Sequence, residues 1–284
     1  MFVWSKLSAA KWSDAWEERF MGSPNLSLVI TEVPGRKTVR IEVFSEKKSA
    51  VLAIQKEWGG SVREVKNQNW AAMAPPPPEP LKVRDKLVIC PARTEREVVA
   101  LVKKFPGKEV ICVPADLAFG TGHHATTETM LRFLVDAAAT WKKSSHPWTL
   151  CDLGCGTGIL AIAGERLGAK KIWACDFDPQ AVRVSKENSE RNKAQRCTFV
   201  KADVLAWQPR QQFDCVAANI FYDVLTTAFP KIYAATKPGG IVMVSGILRQ
   251  HAADCLKAGE KAGIGWERVV TKGKWVSALG SVPK

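Results

Sequence analysis

Strand-like and helix-like segments alternate along most of the chain from residue 148 onwards, and two strands close the pattern. Most of the short apolar runs are followed by an amphipathic stretch long enough for a helix. This alternation predicts a doubly wound α/β sheet of seven strands, with ligands bound at the carboxyl ends of the strands. The predicted strands are 148–153, 171–177, 197–203, 213–220, 239–247, 266–272 and 274–280, and the predicted helices are 158–168, 179–192, 223–236 and 249–263.

The first 70 residues follow a different pattern, in which one strand and one helix precede a hairpin around Pro34-Gly35, a second helix and a last strand. The β-α-β-β-α-β order predicts a small ferredoxin-like α+β domain. Its strands are expected near 2–4 and at 26–33, 37–44 and 61–65, and its helices at 7–21 and 49–58.

A proline-rich run from Pro75 to Pro80 follows this pattern. Proline has a fixed φ and no backbone N–H, so the run cannot form a helix or a central strand. We therefore expect a ferredoxin-like domain over 1–70, a Pro-rich linker over 71–95 and the larger domain over 96–284. Further strands are expected at 85–92 and 108–115, and a further helix at 125–141.

The composition, with 46% hydrophobic and 24% charged residues, is typical of a globular protein. No apolar run approaches the ~20 residues of a membrane helix, so we expect a cytoplasmic protein. The eight cysteines stand apart with no C-x-x-C pair, which favours reduced core cysteines over a metal site. The net charge of +13 contains no Lys/Arg run longer than two and leaves direct RNA binding open.

The segment DLGCGTG, residues 152–158, ends a predicted strand and opens a predicted helix. Glycines at 154, 156 and 158 allow a tight turn and a close approach of a ligand to the backbone. Asp152 would repel a pyrophosphate, but its carboxylate suits the amino-acid end of S-adenosylmethionine. The loop therefore favours S-adenosylmethionine over a dinucleotide.

Polar side chains end the next three strands. Asp176 is placed to accept hydrogen bonds from ribose hydroxyls, and Asp203 to accept from the adenine amino group. Asn219 is placed to hold the N–H groups of an amine so that its nitrogen faces the transferred methyl. The alternatives are that Asp178 and Asp203 only cap the following helix or turn, and that Asn219 is only a turn residue.

A glycine-rich segment, AFGTGHHATT at residues 118–127, precedes the predicted helix at 125–141. It closely resembles the AFGTG-x-H-x-TT signature of the ribosomal protein L11 methyltransferases of the PrmA type. The resemblance continues in order through the glycine loop, ACDFDPQAV, AANI, SGIL and KWVSALG, and covers about residues 85–284.

The resemblance implies a class I methyltransferase domain behind a small domain that captures the ribosomal protein. It implies methyl transfer to the N-terminal α-amine and to lysine ε-amines of L11, by an enzyme expected to be a monomer. His123 and His124 are expected to anchor the loop rather than bind a metal. The candidate cofactor-binding residues are Phe119, Thr121, Thr126, Asp152, Gly154, Gly156, Asp176, Phe177, Asp203 and Asn219, with Asn219 also the candidate catalytic residue.

Two other functions stay open on the sequence. The first is methylation of another protein lysine or of a small amine, with the front domain adapted to a different substrate. The second is an RNA-associated, S-adenosylmethionine-binding module that exploits the positive charge. Transfer of label to protein or to RNA separates them.

Overall fold

The structure, a computed structural model, describes residues 1–20, 26–33, 35–65, 79–92, 94–114, 124–143 and 145–284. The chain divides into two compact units, Met1–Pro76 and Pro77–Lys284. Within the described ranges, no helix combines the length and the apolar character needed to cross a membrane.

The first unit contains one four-stranded antiparallel sheet, in the order β2-β3-β1-β4. This strand order confirms the predicted ferredoxin-like fold. A core of aromatic and aliphatic side chains, with Trp4 and Ile41 fully buried, packs the two helices on the sheet. The elements are β1 Phe2–Ala9, α1 Ser13–Phe20, β2 Ser27–Glu32, β3 Thr38–Ser45, α2 Lys48–Trp58 and β4 Ser61–Glu64.

The predicted helix at 7–21 was wrong at its start. Strand β1 continues to Ala9, where it pairs with Thr38, and a 3-10 turn over Ala10–Trp12 precedes α1. The cause is non-local, because backbone pairing with β3 continues along the whole of β1 although Leu7 is exposed on its surface.

The second unit is built on a seven-stranded sheet in the order β10-β9-β8-β11-β12-β14-β13. Six strands of this sheet run in one direction and β14 runs in the opposite direction, so the predicted doubly wound architecture is confirmed. Its strands are β8 Thr149–Leu153, β9 Lys171–Asp176, β10 Cys197–Lys201, β11 Phe213–Asn219, β12 Thr236–Leu248, β13 Gly265–Lys272 and β14 Trp275–Ser281. Its helices are α4 Ala125–Lys143, α5 Ile159–Arg166, α6 Pro179–Arg191, α7 Tyr222–Ala235 and α8 Ala252–Lys261.

A three-stranded sheet lies ahead of these elements and includes part of the predicted linker. Its strands are β5 Leu81–Val83, β6 Leu87–Cys90 and β7 Glu109–Cys112, with helix α3, Glu95–Lys104, between the last two. Val83 and all of β6 are buried, so residues 81–90 are part of a folded core. The sequence interpretation missed α3, although Thr94 and Glu97 form a capping box that marks its start.

Apolar layers cover both faces of the large sheet. One layer includes Phe133, Leu150 and Ile162 from α4, β8 and α5, and the other includes Leu153, Phe229 and Val244 from β8, α7 and β12. All eight cysteines are free thiols, and all but the partly exposed Cys197 are buried, as the sequence predicted. The sheet is thus packed between helices on both faces, and the predicted site residues lie at its carboxyl edge.

Candidate functional site

The parallel strands bring the predicted site residues to one edge of the sheet. Leu153 pairs with Cys175 on β9 and with Ala218 on β11, and Asp176 pairs with Lys201 on β10. Gly154, Asp176 and Asn219 therefore follow one another along the carboxyl edge, at the same level. Their proximity comes from the register of β8, β9 and β11, which are separated in sequence.

The glycine loop needs glycine at its positions. Gly154, Gly156 and Gly158 have φ values of 71°, 52° and 77°, which L-residues with a side chain rarely adopt. A Cβ on Gly154 would lie 2.1 Å from Cγ2 of Ile220, in the segment that follows β11. The Gly154 and Cys155 amides both donate to the Cys175 carbonyl at 2.9 Å, so the loop turns tightly over the end of β9.

Asp176 fixes the shape of this loop. Its Oδ2 accepts from the Gly156 amide at 2.9 Å, and its Oδ1 accepts from the Asp178 amide at 3.0 Å. A carboxylate has about four lone-pair positions, so both oxygens can accept further hydrogen bonds. Asp178 is the N-cap of α6, as the sequence alternative proposed, because its side chain accepts from the Gln180 amide at 2.8 Å.

Asp152 is only 1% exposed, and neither of its carboxylate oxygens makes a well-formed hydrogen bond to the residues that the structure describes. Burial raises the pKa of Asp152 to about 7, and the nearby negative charge of Asp176 adds to the rise, while the backbone N–H of Ala161 opposes it. An unpaired buried carboxyl group is costly, so this position suits a ligand that brings hydrogen-bond donors or positive charge.

Asn219 is held from one side only. Its Nδ2 donates to Thr126 Oγ1 at 3.3 Å and lies 3.5 Å from Thr127 Oγ1, both at the start of α4. Its Oδ1 is buried and has no hydrogen-bond partner within the part of the chain that the structure describes. The sequence interpretation did not include Thr127 among the site residues. The signal that could have identified it is the pair of threonines in the signature.

The other predicted cofactor-binding residues differ in exposure and in whether the structure describes them. Asp203 is exposed, and its Oδ1 accepts from the Leu205 amide at 2.8 Å, so it shapes the turn after β10 as the alternative reading proposed. Phe177, beside Asp176, is 74% exposed, an unusual position for a large apolar side chain. Phe119 and Thr121 lie outside the described residues.

The model of the family described as ribosomal protein L11 methyltransferase (PrmA) matches residues 11–282 of the sequence. The chain belongs to this family. It is 35% identical over 228 residues to the L11 methyltransferase of Dechloromonas aromatica, a match that covers 77% of this chain and 71% of that one. It is 34% identical over 221 residues to the Methylobacillus flagellatus protein, covering 78% and 69%.

A solved structure supports the same assignment. The crystal structure of the ribosomal protein L11 methylase from Lactobacillus delbrueckii subsp. bulgaricus aligns with a TM-score of 0.61 and 25% identity, over 72% of this chain and 99% of that one. As a member of the PrmA family, the chain is an S-adenosylmethionine-dependent methyltransferase.

The carboxyl edge fits this cofactor. The three glycines leave the loop backbone uncovered by side chains at positions 154, 156 and 158, and the described residues give the buried Asp152 none of the donors that an ammonium group carries. Asp176, at the end of the neighbouring strand, retains acceptor capacity beyond its two backbone contacts.

Proposed function

We propose that this PrmA-family enzyme transfers methyl groups to the N-terminal α-amine and lysine ε-amines of ribosomal protein L11. The observation that carries the proposal is the Oδ1 of Asn219 beside the glycine loop, which is buried and has no hydrogen-bond partner among the described residues. An amine nucleophile brings the N–H donors that this oxygen lacks. Family membership supports L11 as the protein that supplies the amine.

The cofactor-binding residues are part of the proposal. Asp152 pairs with the ammonium group of the methionine part, Asp176 accepts from the ribose hydroxyls, and Phe177 packs on the adenine. Thr126 and the backbone at Gly154 and Gly156 complete the contacts, Asp203 accepts from the adenine amino group, and Phe119 and Thr121 close over the cofactor.

Bound S-adenosylmethionine supplies a methyl group on a sulfonium, which reacts with a nucleophile in line with the departing sulfur. The chain has to align a neutral amine whose lone pair points at that methyl. Asn219 Oδ1 accepts one amine N–H and thereby sets the direction of the lone pair. An amide is suited to this role because it stays neutral and does not tie up the lone pair by protonating the amine.

We propose that the unit Met1–Pro76 recognises the L11 substrate, while the larger unit carries out the transfer. We further propose that the enzyme acts as a monomer in the cytoplasm, where ribosomal proteins are made. Whether the enzyme acts on RNA is decided by the assay described next, in which ribosomal RNA is the alternative substrate.

The test is methyl transfer from labelled cofactor to recombinant L11, followed by mass spectrometry of peptides. Native L11 is compared with L11 whose α-amine is acetylated, with L11 whose lysines are changed to arginine, and with L11 carrying both changes. We expect label on native L11, less on each single form and none on the double form. Ribosomal RNA is the alternative substrate, and label found only in RNA would overturn the proposal.

A further inference from the structure

His124 lies directly before helix α4 and contacts the threonine that holds Asn219. Its ring packs edge-on against Trp275, with the centroids 5.2 Å apart and the planes at 69°. His124 Nδ1 is 2.8 Å from Thr126 Oγ1 and 3.4 Å from the Thr126 backbone nitrogen. The His124 carbonyl accepts from the Glu128 amide at 3.0 Å, so the residue also begins the hydrogen bonding of the helix.

The contact with the Thr126 backbone N–H indicates which ring nitrogen carries the proton. A backbone N–H only donates, so Nδ1 is an acceptor and the proton of the neutral ring is on Nε2. The Thr126 hydroxyl then donates to Nδ1 as well. Burial, together with the nearby charge of Lys274, lowers the pKa of His124 and favours this neutral form.

The tautomer of His124 in turn determines how the Asn219 amide is turned. With its proton directed to His124, the Thr126 oxygen can only accept, and Asn219 Nδ2 supplies the hydrogen at 3.3 Å. If the amide were turned over, Oδ1 would face a hydroxyl oxygen whose hydrogen is already used, and two acceptors would meet.

We propose that His124 is a positioning residue that acts through Thr126 to keep Asn219 Oδ1 directed at the amine. The inference rests on the proposed function, because it assigns Oδ1 the task of accepting the amine N–H. If His124 only capped the helix, replacing it would change the stability of α4 but would not change the orientation of the Asn219 amide.

Two amide substitutions test this inference as a matched pair. In His124→Asn the Oδ1 atom reaches the region of Nδ1, and asparagine is also a favoured N-cap residue. His124→Gln carries the same amide one methylene further out. We expect the Asn variant to keep the single-turnover rate on L11 within about 3-fold of wild type, and the Gln variant to lose about 10- to 100-fold. The cofactor Kd changes by less than about 3-fold in both, because the loss concerns alignment of the amine.

A double-mutant cycle separates positioning from simple structural damage. In an Asn219→Ala background, His124→Gln should cause no further loss of rate, since the residue through which it acts is gone. His146→Gln is the control, because His146 pairs with Asp214 at the opposite end of the sheet. A wild-type rate in the Gln variant, or additive losses in the cycle, overturns the inference.

Nitrogen NMR of the His124 ring gives a test that needs no variant and no L11. We expect the neutral form protonated at Nε2, and a ring protonated at Nδ1 overturns the inference. If the wild-type enzyme binds cofactor but does not methylate L11, the proposed function fails instead. The two failures are therefore distinguishable.

Discussion

Two aspartates at opposite ends of the central sheet differ in their hydrogen bonding and in the direction of their pKa shifts. At the amino end of β11, Asp214 accepts hydrogen bonds from the amide and hydroxyl of Thr149, from Lys237 and from His146, at 2.8 to 3.1 Å. Burial opposes ionisation, but the bonds from Lys237, His146 and Thr149 prevail and lower the pKa of Asp214 to about 2. At the carboxyl end of β8, no described residue forms such a hydrogen bond with Asp152, and burial raises its pKa to about 7.

The difference indicates that Asp214 stabilises the fold, whereas Asp152 and Asn219 are suited to binding a ligand. Asp214 accepts four hydrogen bonds from the protein, so its charge contributes to stability. Asp152 and the Oδ1 of Asn219 are buried without donors from the described part of the chain, which costs free energy in the cofactor-free protein. Under the function proposed above, the carboxyl edge gives up stability at the positions where cofactor and amine would supply the missing groups.

The largest expected effect is at Asn219. Asn219→Ala should lower the single-turnover rate on L11 by about 100-fold, because the amine is no longer aligned with the methyl group. The cofactor Kd, measured by calorimetry, should change much less. Equal losses in rate and in cofactor affinity would show that Asn219 serves the cofactor rather than the amine.

Next in size is the stability effect of Asp152. Its folded-state pKa of about 7 lies above the ~3.9 of an unfolded aspartate, so stability falls as pH rises through this window. Asp152→Asn should therefore stabilise the cofactor-free protein by on the order of 2 kcal/mol at about pH 8, and by less at about pH 5.

Urea unfolding at the two pH values measures the Asp152 effect. The same variant should bind S-adenosylmethionine more weakly, because the carboxylate that faces its ammonium group is lost. A stability difference that does not change with pH would contradict the assignment of an unpaired buried carboxyl group.

Asp214 should show the opposite pH dependence. Its folded-state pKa of about 2 lies below the unfolded value, so its contribution is present above about pH 4 and is lost as pH falls towards 2. Asp214→Asn should cost about 1–2 kcal/mol near neutral pH and progressively less in acid. Cofactor affinity serves as the control and should not change, since Asp214 is at the other end of β11.

The smallest expected effects are changes in cofactor affinity when either of two carboxylates at the carboxyl edge is removed. Asp176→Ala should weaken cofactor binding about 10-fold, because it removes the ribose acceptor and strands the Gly156 amide. Asp203→Ala should weaken it by less than about 3-fold, since that side chain is exposed and already engaged with Leu205. Calorimetric titration of both variants tests this order, and the reverse order would refute it.

Most of the architecture was accessible from the sequence because its patterns are local. Apolar runs and amphipathic stretches gave the seven strands in their correct order, and Asp178-Pro179 marked the start of α6. The errors arose where distant contacts decide. Pairing with β3 extends β1 through residues 7–9, and the unpredicted strand β5 forms by pairing with β6, which lies within the strand predicted at 85–92.

The sequence by itself determined the order of strands and helices, the glycine loop, and the presence of a polar residue at the end of each of four strands. These features depend on residue type and on neighbours along the chain. Only the tertiary structure decided that Asp152 and Asn219 Oδ1 are buried without hydrogen-bond partners among the described residues, while Asp214 accepts hydrogen bonds from Thr149, Lys237 and His146. The reason is physical, since a hydrogen-bond partner in a folded core comes from whichever segment the topology places beside it.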